Sequence, residues 1–130
     1  MRTRCQWAIV LSLSLVSCSS SKNSSNLGEA SGATCPADST LTHETFGKQF
    51  MTNYCVRCHS STLSGTARQG APSDHNLDTL VGVHAADLEH IDESAAAGPQ
   101  HTNTAMPPSD PRPSLQERQN LGEWLARGAQ

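Results

Sequence analysis

Cys55-Val56-Arg57-Cys58-His59 is the stretch that decides how this chain is read. Two thiols three residues apart on one turn can each form a thioether with a vinyl group of the same porphyrin, and the next residue then carries an imidazole to the iron from the same side. C-x-x-C-H is the attachment sequence for c-type haem. One more residue between any of the three would stop so short a segment from bonding the porphyrin twice and ligating its metal once. Cys55, Cys58 and His59 are therefore the candidate cofactor-binding residues, with His59 the proximal ligand of one covalently bound haem c. A thioether is the ligand that raises the reduction potential of an iron left with one open axial position. Met106, in Thr104-Ala105-Met106-Pro107-Pro108, is the candidate for it.

Composition agrees with a chain that closes on such a group. Its 130 residues suffice for one domain and no more. Only 35% of them are hydrophobic and 4% aromatic, too little to fill an interior unaided once the apolar start of the chain is set aside. Small domains of this kind lean on a disulfide, a metal or a cofactor, and a porphyrin is a large apolar disc. The formal charge of −3 becomes −5 when Arg2 and Arg4 leave with a leader. No basic face is available for nucleic acid. An acidic carrier is steered instead toward a redox protein partner with a basic docking surface, in a salt-dependent way.

The amino terminus reads as an address rather than as structure. Arg2 and Arg4 make a positive start, and Ala8 to Val16 form an apolar run broken only by serines, too short to span a bilayer. Leu15-Val16-Ser17-Cys18 resembles the bacterial lipobox, in which cleavage precedes a cysteine that becomes lipid-modified. Residues 1–17 are thus expected to be a lipoprotein-type signal peptide and Cys18 the lipidation site; an ordinary signal peptide would leave Cys18 a plain thiol. Ser19 after the cysteine matches passage to the outer membrane. The expected location is therefore outside the cytoplasm, lipid-anchored on the periplasmic side of that membrane. Residues 18–40 are rich in Ser, Gly, Ala and Asn, cannot offset their ordering entropy by burial, and read as a flexible tether. Residues 41–130 remain as the folded domain. Cys35 has no assigned role, and a Cys18–Cys35 disulfide is the alternative if Cys18 is not lipidated.

The domain reads as all-α. Thr42 is placed to cap a helix running to about Cys55, with Glu44 in its first turn and Phe46, Phe50 and Tyr54 at four-residue spacing. Leu77 to Val83 is a short apolar segment. Ala85 to Ala97 reads as a helix with Leu88, Ile91 and Ala95 on one face and Asp87, Glu89, Asp92 and Glu93 on a solvated side, stopped by Gly98-Pro99. Pro107, Pro108, Pro111 and Pro113 stiffen the loop that carries Met106. Ser114-Leu-Gln-Glu117 is a capping box that opens a last helix to about Arg127. Trp124 on that helix either packs against the first one or reaches a haem edge with its N–H.

These features resemble the class I cytochromes c over roughly Thr42 to Gly128. That family opens with a helix ending at C-x-x-C-H and carries on it a small residue, matched here by Gly47, that lets a C-terminal helix cross closely. The resemblance implies a small helical fold wrapped around one covalently attached haem. It also implies that Met106, 47 residues past His59, supplies the sixth ligand. A proline carbonyl in the family accepts from the ligand histidine, and Pro72 is placed to do so, its other reading being a plain turn residue. Where the family has an aromatic four residues before the first cysteine this chain has Met51, with Phe50 offset by one.

The function this implies is one-electron transfer in a bacterial respiratory or periplasmic redox chain by a monomeric protein that is not an enzyme. Two alternatives stand beside it. A five-coordinate haem c, with Met106 unbound, suits gas sensing or weak peroxidase activity. Within the carrier reading, His75, His84, His90 and His101 compete with Met106 for the sixth position, and bis-histidine ligation would lower the potential. A haem-free lipoprotein would instead use Cys55 and Cys58 in a disulfide, or with His59 and Cys35 around zinc.

Overall fold

The computed structural model describes residues 27–130. Among the described residues there is no strand, only an isolated antiparallel bridge between Ala97 and Thr102; the architecture is all-α. No described helix is long and apolar enough to cross a membrane. The expected signal peptide, Cys18 and the start of the tether lie outside the described residues.

Thr42 caps the first helix as its sequence requires. Its hydroxyl accepts from the Thr45 amide at 3.1 Å, and the Thr45 hydroxyl accepts from the Thr42 amide at 2.8 Å, so two orphan donors are satisfied reciprocally. The first turn, His43–Gly47, is π-helical and runs directly into α1, Lys48–Tyr54. Phe46, Phe50 and Tyr54 stack along one face, with successive ring centroids 5.5 and 5.1 Å apart.

The last helix, α4 (Leu115–Ala126), starts at the expected capping box, Ser114 with Glu117, and buries Leu121, Trp124 and Leu125. It crosses the first helix at Gly47. Tyr54 ties the two together by donating to Glu117 at 2.7 Å. Trp124 is fully enclosed, meets Phe46 edge-on and donates its N–H to the Gln130 carbonyl at 3.2 Å. Full burial of such a ring contributes about 2–3 kcal/mol relative to exposure.

Between these helices the chain differs from expectation. The helix expected over Ala85–Ala97 is shorter at both ends, α3 spanning Leu88–Ala95, and the short apolar segment before it forms a helix of its own, α2, over Leu80–Ala85. Asp87 breaks them, with a φ of 67° and a carboxylate that caps α3 by accepting from the Glu89 amide at 3.1 Å. Nor is the outer side of α3 a simple solvated acidic face. Glu93 is buried and Asp92 is bound to Ser31. After Ala95 the backbone turns extended, and Ala97 donates to the Arg118 carbonyl on α4 at 2.9 Å.

The described part of the expected tether also differs. Gly28 donates to the Glu93 carbonyl at 2.9 Å, and the buried Ser31 gives its amide (2.7 Å) and its hydroxyl (2.6 Å) to the two oxygens of Asp92. Asn103 holds the Glu29 carbonyl at 2.8 Å, and Arg127 holds that of Ser39 at 2.6 Å. The segment also crosses α4 at Gly122, where a β-carbon would stand 2.7 Å from that of Ala33. Residues 27–40 therefore strap α3 and α4 through hydrogen bonds and small-residue contact. The same Gly, Ser and Ala content that reads as solvated coil permits this approach.

Candidate functional site

α1 ends where the C-x-x-C-H segment begins, and that segment is one tight turn. Cys58 and His59 both donate to the Cys55 carbonyl, at 3.1 and 3.0 Å. This turn forms one wall of an open cleft of about 490 Å³. Phe50, Leu77, Ala86, Ile91 and Ala95 supply its apolar surface, and Met106 with Pro107 and Pro108 the opposite loop. Pockets that bury a small-molecule cofactor run from roughly 300 to 1,000 Å³. The cleft thus brings together Cys55, Cys58, His59 and Met106, the four residues expected to hold haem. Its lining includes Arg57 and Arg68 and no carboxylate, which suits an apolar disc with an anionic edge.

Among the described residues the His59 Nδ1 is the one buried side-chain polar atom that meets no partner at full hydrogen-bond geometry, and the backbone that acts on its ring is that of His75. A ligand histidine gives one ring nitrogen to such a backbone partner and presents the other to a metal, so Nε2 is the atom that His59 would offer to an iron. Burial lowers the imidazole pKa, with the His75 backbone acting against it and Arg68 adding to it. A neutral imidazole is the form that ligates a metal. Cys55 is half-buried, and burial pushes its thiol up to about 12 against the pull of Arg57 and Arg118.

The hydrogen bond expected between Pro72 and the ligand histidine falls differently. The Pro72 carbonyl accepts from Arg68, and the backbone that acts on the His59 ring is that of His75. Arg68 is itself buried. It also donates to the carbonyls of Ser60 (2.6 Å), His75 (2.9 Å) and Ala71 (3.2 Å), so one guanidinium fixes the loop on the imidazole side of the cleft. Trp124 is not in the cleft: Gly47 admits it to the helix crossing, so no haem-edge contact is available to it.

Met106 stands on the far side. Its amide donates to the Ser94 carbonyl of α3 at 2.9 Å, its carbonyl accepts from Arg118 of α4 at 2.9 Å, and 42% of its surface remains exposed. Arg57, inside the C-x-x-C-H turn, reaches across to the carbonyls of Ser109 and Asp110, the latter at 2.5 Å. Of the four other histidines weighed as ligands, His75 and His90 line the cleft, their ring centroids 4.9 Å apart, and His75 stacks 6.3 Å from His59. His84 and His101 lie outside it, and His101 faces Glu29 at 3.1 Å.

The zinc alternative is not assembled. Cys35 lies away from the cleft, and among the described residues no group of three His, Cys, Asp or Glu side chains is arranged to hold a metal ion. Cys35, Cys55 and Cys58 are all free thiols. The buried arginines and the Arg57 bridge have no signal in the sequence, because a charged side chain ordinarily reads as surface. No protein-family model matches the chain, and neither the curated proteins nor the solved structures yield a match.

Proposed function

We propose that the protein is a monohaem c-type cytochrome of the class I kind, a one-electron carrier of a bacterial periplasmic or respiratory redox chain and not an enzyme. The observation that carries this reading is the convergence of Cys55, Cys58, His59 and Met106 on one apolar cleft. When bound, the haem iron supplies a single-electron couple between its ferrous and ferric states. Cys55 and Cys58 would bond the macrocycle and His59 and Met106 would ligate its iron, which would leave no site for a substrate. Phe50, Leu77, Ile91 and Ala95 give the cleft an apolar wall, and the low dielectric of that wall would tune the potential of a bound haem. Arg68 immobilises the loop against His59. Cys18 anchors the chain by lipid, with the domain reaching its redox partners from the membrane surface.

Export of the full chain from a host that matures c-type haem tests this. Haem that stays with the polypeptide through denaturing electrophoresis, together with a methionine–iron charge-transfer band in the red for the ferric protein, is the expected result. A colourless, folded product ends the reading. The exposure of Met106 favours one rival, a five-coordinate haem c with sensing or weak peroxidase activity. A high-spin ferric spectrum that changes at once on adding cyanide or CO selects it.

A further inference from the structure

Arg118 sits on α4 with 3% of its surface exposed, and no carboxylate among the described residues forms an ion pair with it. Burying an unpaired guanidinium is costly unless its N–H groups are met by good acceptors. At Nη1 they are met by carbonyls from three separate segments. Nη1 reaches Ala95 at the end of α3 (2.7 Å), Asn103 beyond the Ala97–Thr102 bridge (2.8 Å) and Met106 in the proline loop (2.9 Å). The Met106 amide is fixed in turn by the Ser94 carbonyl at 2.9 Å. Both polar groups of the Met106 backbone are thus pinned to the helical body, one to α3 and one through Arg118 to α4. The side chain is left half-exposed at the cleft.

We infer that Arg118 is a positioning residue for the sulfur ligand, holding the Met106 backbone where its thioether meets the iron. This rests on the cytochrome reading. A bond from a charged donor to a buried carbonyl is stronger than a neutral one, and a loop released from it samples positions in which sulfur is off the metal. All three carbonyls gather at the single nitrogen Nη1, so a lysine ammonium, with its three N–H groups, can replace part of this contact, whereas an uncharged glutamine amide cannot.

The test compares wild type with Arg118→Gln, which loses the charged donor, and Arg118→Lys, which keeps one, each exported and matured with haem. For Arg118→Gln the expected result is covalent haem in normal amount, a weakened red methionine band per haem, and ferric cyanide binding faster by about tenfold or more, with Arg118→Lys recovering part of both. A folded Arg118→Gln with the wild-type band and the wild-type cyanide rate overturns the assignment. Should neither variant fold, proton NMR of the unaltered ferrous protein decides. Slowly exchanging Arg118 Nη protons with cross-peaks to the Met106 Hα support the assignment, and rapidly exchanging ones overturn it. Wild type that carries no covalent haem removes the cytochrome reading itself. Wild type with haem and the red band, beside unaffected variants, removes only the role of Arg118.

Discussion

Gly47 lies directly beneath the indole of Trp124: a β-carbon at Gly47 would stand 2.3 Å from Cζ2 of that ring. The indole is fully enclosed and cannot swing away, so the two helices would have to part. Alanine brings a gain in helix propensity of about 1 kcal/mol over glycine. Overpacking a rigid aromatic costs about 1–3 kcal/mol, and the clash is expected to win. Gly47→Ala should unfold at lower urea concentration than wild type; an unchanged or raised midpoint would mean that the crossing is softer than this geometry implies.

On the proposed function, His59→Ala removes the imidazole that would ligate the iron from the wall of the cleft. It should yield no stable holoprotein, and recovery of a normal haem-loaded fold would count against its role as proximal ligand. Met106→Ala should retain covalent haem but show a lower potential and an iron open to added ligands. A potentiometric titration identical to wild type would assign the sixth position elsewhere, with His75 or His90 next in line.

Glu117 receives Tyr54 at 2.7 Å, the Ser114 amide at 2.8 Å and the Ser114 hydroxyl at 2.7 Å. The Tyr54 hydroxyl first, then Ser114, hold its carboxyl below the usual range. Its folded pKa lies under the unfolded one, so its contribution to stability is present above the ordinary carboxylate range and is lost as pH falls through it. Tyr54 is displaced upward, chiefly by the same bond, and its contribution disappears as pH rises beyond the ordinary phenol value. Thermal midpoints should therefore fall in acid, and fall less steeply for Glu117→Gln. Parallel acid profiles for the two proteins would contradict the linkage.

Ser31→Ala deletes the hydroxyl that meets Asp92 at 2.6 Å and leaves one carboxylate oxygen without that donor. Removing a partner from a charged acceptor costs about 1.5–3 kcal/mol. The strap over 27–35 should become cleavable by a broad-specificity protease while the rest of the domain stays resistant. Equal cleavage of wild type and variant would mean that Ser31 does not hold the segment.

On the proposed function, Cys18→Ala should shift the protein from the membrane fraction into the soluble periplasm. Retention in the membrane would rule out the lipid anchor.

What the sequence makes legible is local. The Ser114 box depends on residues three apart and closes as its letters require, and Thr42 caps its helix with its own hydroxyl. The C-x-x-C-H turn follows the same logic, whereas the Gly47 crossing joins residues far apart in the chain and is expected only from the family resemblance. The features it hides are non-local or run against residue type. Nothing near Arg68 or Arg118 announces that their partners are carbonyls brought in from distant loops. Asp87 reads as one more exposed acid on a continuous helix, whereas its positive φ ends one helix and its carboxylate begins the next. The strap offers no apolar period to detect, because Ser31, Gly28 and Ala33 dock through polar atoms and the lack of bulk.

The Cys55 thiol, pushed up to about 12 by burial, is a feeble nucleophile once the protein has closed around it. On the proposed function this favours an order of assembly. The bond to the vinyl group would form more readily while Cys55 is still open to solvent, and closure of the chain would then seal the pigment in place.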